Sequence, residues 1–255
     1  FTWIPRKNAQ DIVFKTLQPA VRYTKEECLD LPDVTYQTRD VPLTPQQDKY
    51  YKKLKKEMFI EAAGEEITVV NAAAMLTKLL QVSAGSIYTD KKEVIEFDVK
   101  NRMTALKDII TEASHKVIVF APFRNSIELI LTELTKSKIS CDCIHGGITM
   151  NKRSQIFKSF QESKDPQVLV IQPQSASHGV TLHAANVVVF WSPVVSVETY
   201  IQCCARMDRA GQRNPMTVVH LQGSPVESKI YKMLQGKIDN HIKLVDLYKE
   251  ELGFE

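Results

Sequence analysis

The sequence predicts an α/β fold, a parallel sheet with helices on both faces, with an N-terminal helical extension before it and a C-terminal brace helix after it. Three observations carry the prediction. From residue 101 onward, short apolar runs read as buried strands: KVIVFAPF, ISCDCI, QVLVIQ, VVVFW and MTVVHL. Amphipathic segments of about 10 to 15 residues alternate with them, the pattern of a parallel sheet covered by helices. The chain has 255 residues, 44% apolar and 25% charged, which is ordinary globular composition with enough apolar content for such a core.

Taken in order, residues 1–100 form a lead-in. Its opening is basic and amphipathic: Ile12, Val13, Leu17 and Val21 recur at roughly helical spacing, Pro19 interrupts them, and Arg22 and Lys25 sit near the end. Those two cations suit a helix C-terminus or a phosphate contact equally. Residues 31–42 place β-branched and aromatic residues between Pro32 and Pro42, the signature of an edge strand. Thr44 then reads as an N-cap with Pro45 at the first helical position. The helix that follows carries five lysines opposite an apolar stripe of Tyr50, Leu54, Met58 and Phe59. Its lysine face suits a phosphate backbone or plain solvent. A second helix covers 66–84 with Met75, Leu79 and Val82 as core, and Gly85 stops it. A charged turn and a short extended segment, YTDKKEVIEFD, complete the lead-in.

Residues 101–223 hold the alternating pattern: helix NRMTALKDIITEAS, strand, helix NSIELILTELTKS, strand, loop HGGITM, helix NKRSQIFKSFQES, strand, the irregular loop PQSASHGVTLHAAN, and strand VVVFW. A helix spanning 196–213 and the last strand close it. Residues 224–255 form the brace helix, with Ser224 and Glu227 spaced as a capping box.

Net charge is +3 and the sequence pI about 8.5. That is compatible with nucleic-acid binding without requiring it. The five cysteines, Cys28, Cys141, Cys143, Cys203 and Cys204, include no C-x-x-C pair, so no zinc or redox motif is expected. Buried free thiols in a reducing compartment fit, which means cytoplasm, or nucleus in a eukaryote. No metal site, membrane span or signal peptide is read. The chain begins at Phe1 rather than Met, so a piece of a longer protein is expected.

In parallel sheets, ligands gather at the carboxyl ends of the strands. After KVIVFAPF, Arg124 and Asn125 offer a cation, an amide and a helix start, although Asn125 or Ser126 as a simple N-cap would account for the residue types. After ISCDCI, His145, Gly146 and Gly147 permit either close backbone approach or a tight turn. After QVLVIQ, the stretch from Gln172 to Leu182, with Ser175, Ser177, His178, Gly179 and Thr181, is small, polar and rich in hydroxyls suited to phosphate.

The segment SVETYIQCCARMDRAGQR, read as one helix, sets Gln202, Arg206 and Arg209 at i, i+4 and i+7 on one face, with Gly211 as its stop. Two guanidiniums beside an amide form a donor set for phosphate oxygens. The same spacing also serves a solvated face or half of an ion-pair set.

The string Gln202-x-x-x-Arg206-x-x-Arg209-x-Gly211-Gln212 resembles motif VI of the Swi/Snf-type DNA translocases, a branch of helicase superfamily two. VIVFAPF is similar to the motif IV strand, IHGG to the motif after it, and VLVIQPQSASHGVTLHAANVVVFWSP to motif V and its following strand. VRYTKEECLDLPD with VPLTPQQDKYYKKL is similar to the lead into the second lobe. Ala176-Ser177 stand where eukaryotic members carry paired glycines, and Arg22-Tyr23 where they carry a basic pair; both look more like a bacterial or phage version.

The resemblance implies a RecA-like C-terminal lobe with Arg206 and Arg209 as arginine fingers. Gln202, Gly179 and Thr181 would lie near ATP, and Arg124, Asn125, His145, Gly146, Gly147, Ser175, Ser177 and His178 near one DNA strand. No G-x-x-x-x-G-K-[ST] and no Asp-Glu-x-His box occur. ATP and Mg²⁺ would therefore be held mainly by a first lobe upstream, with neither expected on this chain alone. The implied partners are that lobe and double-stranded DNA, with no membrane. A stand-alone DNA- or protein-binding α/β module is the rival reading. A dinucleotide enzyme lacks its G-x-G-x-x-G.

Overall fold

The computed structural model describes residues 6–16, 28, 30–62, 69–89, 93–177 and 180–236. The chain divides into two compact units, 1–31 and 32–255. In the first, helix α1 (Ala9–Thr16) leaves Ile12 and Val13 about half exposed. Leu17, Pro19, Val21, Arg22 and Lys25 lie outside the described residues.

The second unit opens with β1 (Val34–Asp40), followed by α2 (Pro45–Ala62), α3 (Val69–Ala84), β2 (Ser86–Tyr88) and β3 (Val94–Glu96). The alternating region follows: α4 (Lys100–Glu112), β4 (Lys116–Phe120), α5 (Arg124–Lys136), β5 (Cys141–Ile144), α6 (Met150–Glu162), β6 (Val168–Ile171), a 3-10 turn (Pro173–Ser177), β7 (Ala185–Phe190), α7 (Val197–Cys204), β8 (Met216–Gln222) and α8 (Pro225–Gln235).

Six strands form one parallel sheet in the order β1-β8-β7-β4-β6-β5, while β2 and β3 pair antiparallel beside it. The strand bounded by prolines is indeed an edge strand, paired only with β8. A proline-flanked segment cannot extend its ladder and suits that place.

Alternate strand residues feed opposite faces, as the period of two demands. Ile118, Phe120, Leu169, Ile171, Val188, Phe190 and Val218 join a core with α2, α3, α6, α7 and α8. Val117, Val119, Val168, Val170, Val187, Val189 and Val219 join the other with α4 and α5. The α/β class with helices on both faces is therefore the observed architecture. Because every strand runs the same way, every connection leaving a strand's carboxyl end emerges along one edge of the sheet.

Gly85 ends α3 with φ +111°, a left-handed cap that an L side chain resists. Thr44 caps α2 from a buried position, and its hydroxyl also donates to the Asp98 carbonyl at 2.8 Å. Ser224 and Glu227 form the capping box expected for α8. That helix is described only to Gln235, so the expected continuation to 255 falls outside the described residues.

Candidate functional site

One cluster occupies the carboxyl edge of the sheet; a second is built on α7, whose following turn returns to the amino end of β7. The first joins the connections after β4, β5 and β6. Arg124 opens α5 and donates to Glu128 one turn on, at 3.2 Å. Neither Asn125 nor Ser126 caps that helix. Its N-cap is Phe123, and the Ser126 hydroxyl donates instead to the Ala84 carbonyl at 3.2 Å. Asn125 Nδ2 is buried without a hydrogen-bond partner among the described residues.

The His145–Gly147 loop folds toward Arg124. His145 Nδ1 accepts from the Gly147 N–H at 3.0 Å, and the Gly146 N–H donates to Gln172 at 3.3 Å. Burial, and then Arg124, push the His145 imidazole below its usual basicity. A Cβ on Gly147 would lie 3.1 Å from the His145 ring and 3.4 Å from Arg124 Nη1. Around Gly146 the nearest atom would be 4.0 Å away, so packing does not demand glycine there. Gly146 is exposed, with its N–H turned to Gln172.

Two residues hold this loop: Arg153, to which the sequence reading gave no role, and Gln172, which it named only as the start of the loop after β6. Arg153 on α6 donates to the carbonyls of Ile148 and His145 at 2.9 and 3.0 Å, and Gln172 bridges β6 to Gly146. Neither has a local sequence signal, since each acts through a backbone partner set by the fold.

The second cluster is built on α7 and the turn after it. The helix expected over 196–213 is shorter. Ser196 caps α7 by accepting from Thr199, but the helix ends at Cys204. The physical reason is tertiary: the Arg206 carbonyl accepts from the Leu182 N–H at 2.8 Å, and the Arg206 N–H turns back to Cys203. Gly211 does not stop the helix; it sits farther on in a left-handed turn, φ +100°. Gln202, Arg206 and Arg209 therefore do not share a helical face. Gln202 donates to Glu198 at 3.1 Å. Arg209 lies in the turn, its Nε donating to the Ala205 carbonyl at 3.0 Å.

Arg206 is the singular residue. It is only 4% exposed, and its Nε and Nη1 are buried without hydrogen-bond partners among the described residues. Desolvation, and then the neighbouring Arg209, lower its basicity. Gln212 staples the turn from behind. It is buried, donates to Ala185 at 2.9 Å, and accepts from the N–H groups of Arg213 and Asn214.

The remaining predicted residues divide. Ser175 is buried, 7% exposed, rather than presented like the loop glycines. Ser177 ends the 3-10 turn that packs against α7, and Thr181 is half-buried just after it. His178 and Gly179 lie outside the described residues. No cluster of three metal-ligand side chains occurs among the described residues. No described helix is long and apolar enough to cross a membrane.

Residues 101–211 match the helicase conserved C-terminal domain. Over 199 residues the chain is 25% identical to putative protein p41 of Acyrthosiphon pisum secondary endosymbiont phage 1, covering 75% of this chain and 41% of that protein. It is likewise 25% identical over 198 residues to a SWI/SNF-related regulator of chromatin (subfamily A-like protein 1) of Xenopus tropicalis, covering 72% of this chain and 20% of that one. The chain thus spans about two fifths of the phage protein and about a fifth of the frog one.

Among solved structures, the C-terminal part of the Fun30 ATPase domain superposes with TM-score 0.69 at 16% identity, covering 89% of this chain and 100% of that one. The Sulfolobus solfataricus SWI2/SNF2 ATPase core in complex with dsDNA gives 0.66 at 20% identity, covering 95% and 54%. The fold is that of the RecA-like Swi/Snf-type C-terminal lobes, and residues 101–211 are similar to the helicase conserved C-terminal domain.

Proposed function

We propose that this chain is the second motor lobe of an ATP-dependent translocase acting on double-stranded DNA. In this reading Arg206 and Arg209 complete a nucleotide site whose phosphate cradle belongs to a first lobe of the same polypeptide. The Arg206 guanidinium carries the argument. A buried cation with unpaired donors is expensive to keep, unless an anion arrives to complete it. Phosphate oxygens fit that donor set.

The bound Mg²⁺–ATP would supply the transferable phosphoryl group and much of its charge neutralisation. This chain's part is electrostatic. The Arg206 backbone is fixed by the Leu182 N–H and its side chain is buried, so its field would need little reorganisation when an anionic oxygen meets it. Arg209 adds a second cation one turn of backbone away. Without a P-loop the chain alone should not hydrolyse ATP. Arg124 and Asn125 offer a cation and an amide to a sugar–phosphate strand, and the exposed glycines of the His145–Gly147 loop allow its close approach, without base readout. The DNA-bound relative supports that half of the reading.

The test is DNA-stimulated ATP hydrolysis in the polypeptide that carries both lobes. Arg206→Ala and Arg209→Ala should each lower it by about 10³-fold or more while nucleotide binding survives. Near-normal hydrolysis by both variants would refute the assignment. No hydrolysis when this chain is mixed with its upstream segment and duplex would favour a stand-alone binding module instead.

A further inference from the structure

Helix α2 carries a feature that the strand-end clusters do not use. Lys49, Lys52, Lys53 and Lys56 fall at i, i+3, i+4 and i+7, which is one helical face. It is the reverse of the face that buries Gln47 and Tyr51 and packs Leu54 on the core. The side chains of Lys52 and Lys53 are 74% and 70% exposed. Asp48 and Glu57 pair with them from the flanks at 2.7 and 3.6 Å, whereas Lys49 and Lys56, both exposed, have no carboxylate partner among the described residues.

The helix is anchored at its base. Gln47 donates to the Val82 carbonyl at 2.9 Å, Gln46 accepts from the Asp98 N–H at 2.9 Å, and the Tyr50 ring packs on Phe97 at 5.0 Å. The lysines are thus presented by a fixed rod. At 1.5 Å per residue, Lys49 and Lys56 stand about 10 Å apart along it, roughly three phosphate steps of a duplex strand. The face has no apolar or aromatic anchor of the kind that protein interfaces centre on. It offers point charges at a linear repeat.

We propose that the Lys49–Lys56 face of α2 is a second contact with the phosphate backbone of duplex DNA, distinct from the strand-end loops and indifferent to sequence. The proposal rests on the DNA-binding reading above. Its test separates the two. Duplex binding by the whole chain is followed by fluorescence anisotropy between roughly 50 and 200 mM NaCl, where each phosphate contact contributes about 0.9 to the log–log salt slope.

Lys49→Gln/Lys56→Gln should lower that slope by roughly 2, so that the wild type loses about ten-fold more affinity than the variant across the range. Lys49→Arg/Lys56→Arg should keep the slope, and circular dichroism should be unchanged in both. If Arg124→Ala weakens binding but the glutamine variant keeps the wild-type slope, the α2 contact is refuted while the loops stand. If the wild type does not bind duplex, both readings fall. An unchanged DNA slope together with lost binding to poly-glutamate would give the face to an acidic protein and overturn the proposal.

Discussion

Replacing Arg206 by methionine should make this chain more stable while removing its proposed contribution to catalysis. The side chain is 4% exposed, and two of its donors are buried with no partner among the described residues. Each such donor costs about 1–3 kcal/mol relative to being hydrogen-bonded in water. Methionine has a similar length and fills an irregular space well, so most of the stem's packing would survive. Allowing for imperfect refilling, the net gain should be about 1–3 kcal/mol. In urea this should appear as a higher midpoint with an unchanged slope, and in a melt as a rise of roughly 2–10 °C for a chain of this size. The two-lobe protein bearing the same change should lose DNA-stimulated hydrolysis. A variant destabilised by more than about 1 kcal/mol would show that Arg206 is satisfied in solution, and the argument from its unpaired donors would fail.

Other perturbations give separate checks. Arg102, 3% exposed, pairs with the fully buried Glu227 at 2.8 Å and donates to the Trp191 carbonyl, so Arg102→Met should cost about 3–5 kcal/mol in urea unfolding. Arg102→Met/Glu227→Leu should recover most of that loss, because no charge is then stranded. His220 is fully buried, and burial pushes its imidazole down to about 4, against about 6.5 in an unfolded chain. The unfolded state therefore takes up the proton first. This contribution to stability is complete above pH about 6.5 and drains away as pH falls toward 4, so His220→Gln should reduce the difference between unfolding at pH 7.5 and pH 5. A Cβ on Gly223 would sit 2.1 Å from the Val41 carbonyl oxygen, so Gly223→Ala should cost about 1–3 kcal/mol or more and lower the melting temperature.

The sheet was legible because its strands are uniformly apolar and its helices keep their period, so tertiary context and local pattern agree. Pro32 and Pro42 even located the edge strand, and Ser224 with Glu227 located the start of α8. What sequence could not foresee were acts of the backbone at long range. The arginine helix ends early because the Arg206 carbonyl is taken by Leu182. Glu227 was readable as a capping residue, yet its ion pair with Arg102 spans 125 positions and leaves no local trace. For the same reason the support that Arg153 and Gln172 give the loop had no local signal, whereas the glycines they support did. The burial of Ser175 had no local signal, since a polar type in a loop suggests exposure, and here it sits in a 3-10 turn that packs against α7.

The outermost ladder has a temporal cost. β1 lies near the beginning of the chain, but its only partner, β8, comes so late that Gln222 bonds Asp40 across 182 positions. During synthesis, the whole stretch from β1 through β8 must leave the ribosome before β1 can zip. Closing so large a loop is entropically slow. Until then two naked ribbon margins, β1 and the outer side of β7, are available to the wrong neighbour, which makes late translation the moment at which this molecule is most prone to sticking.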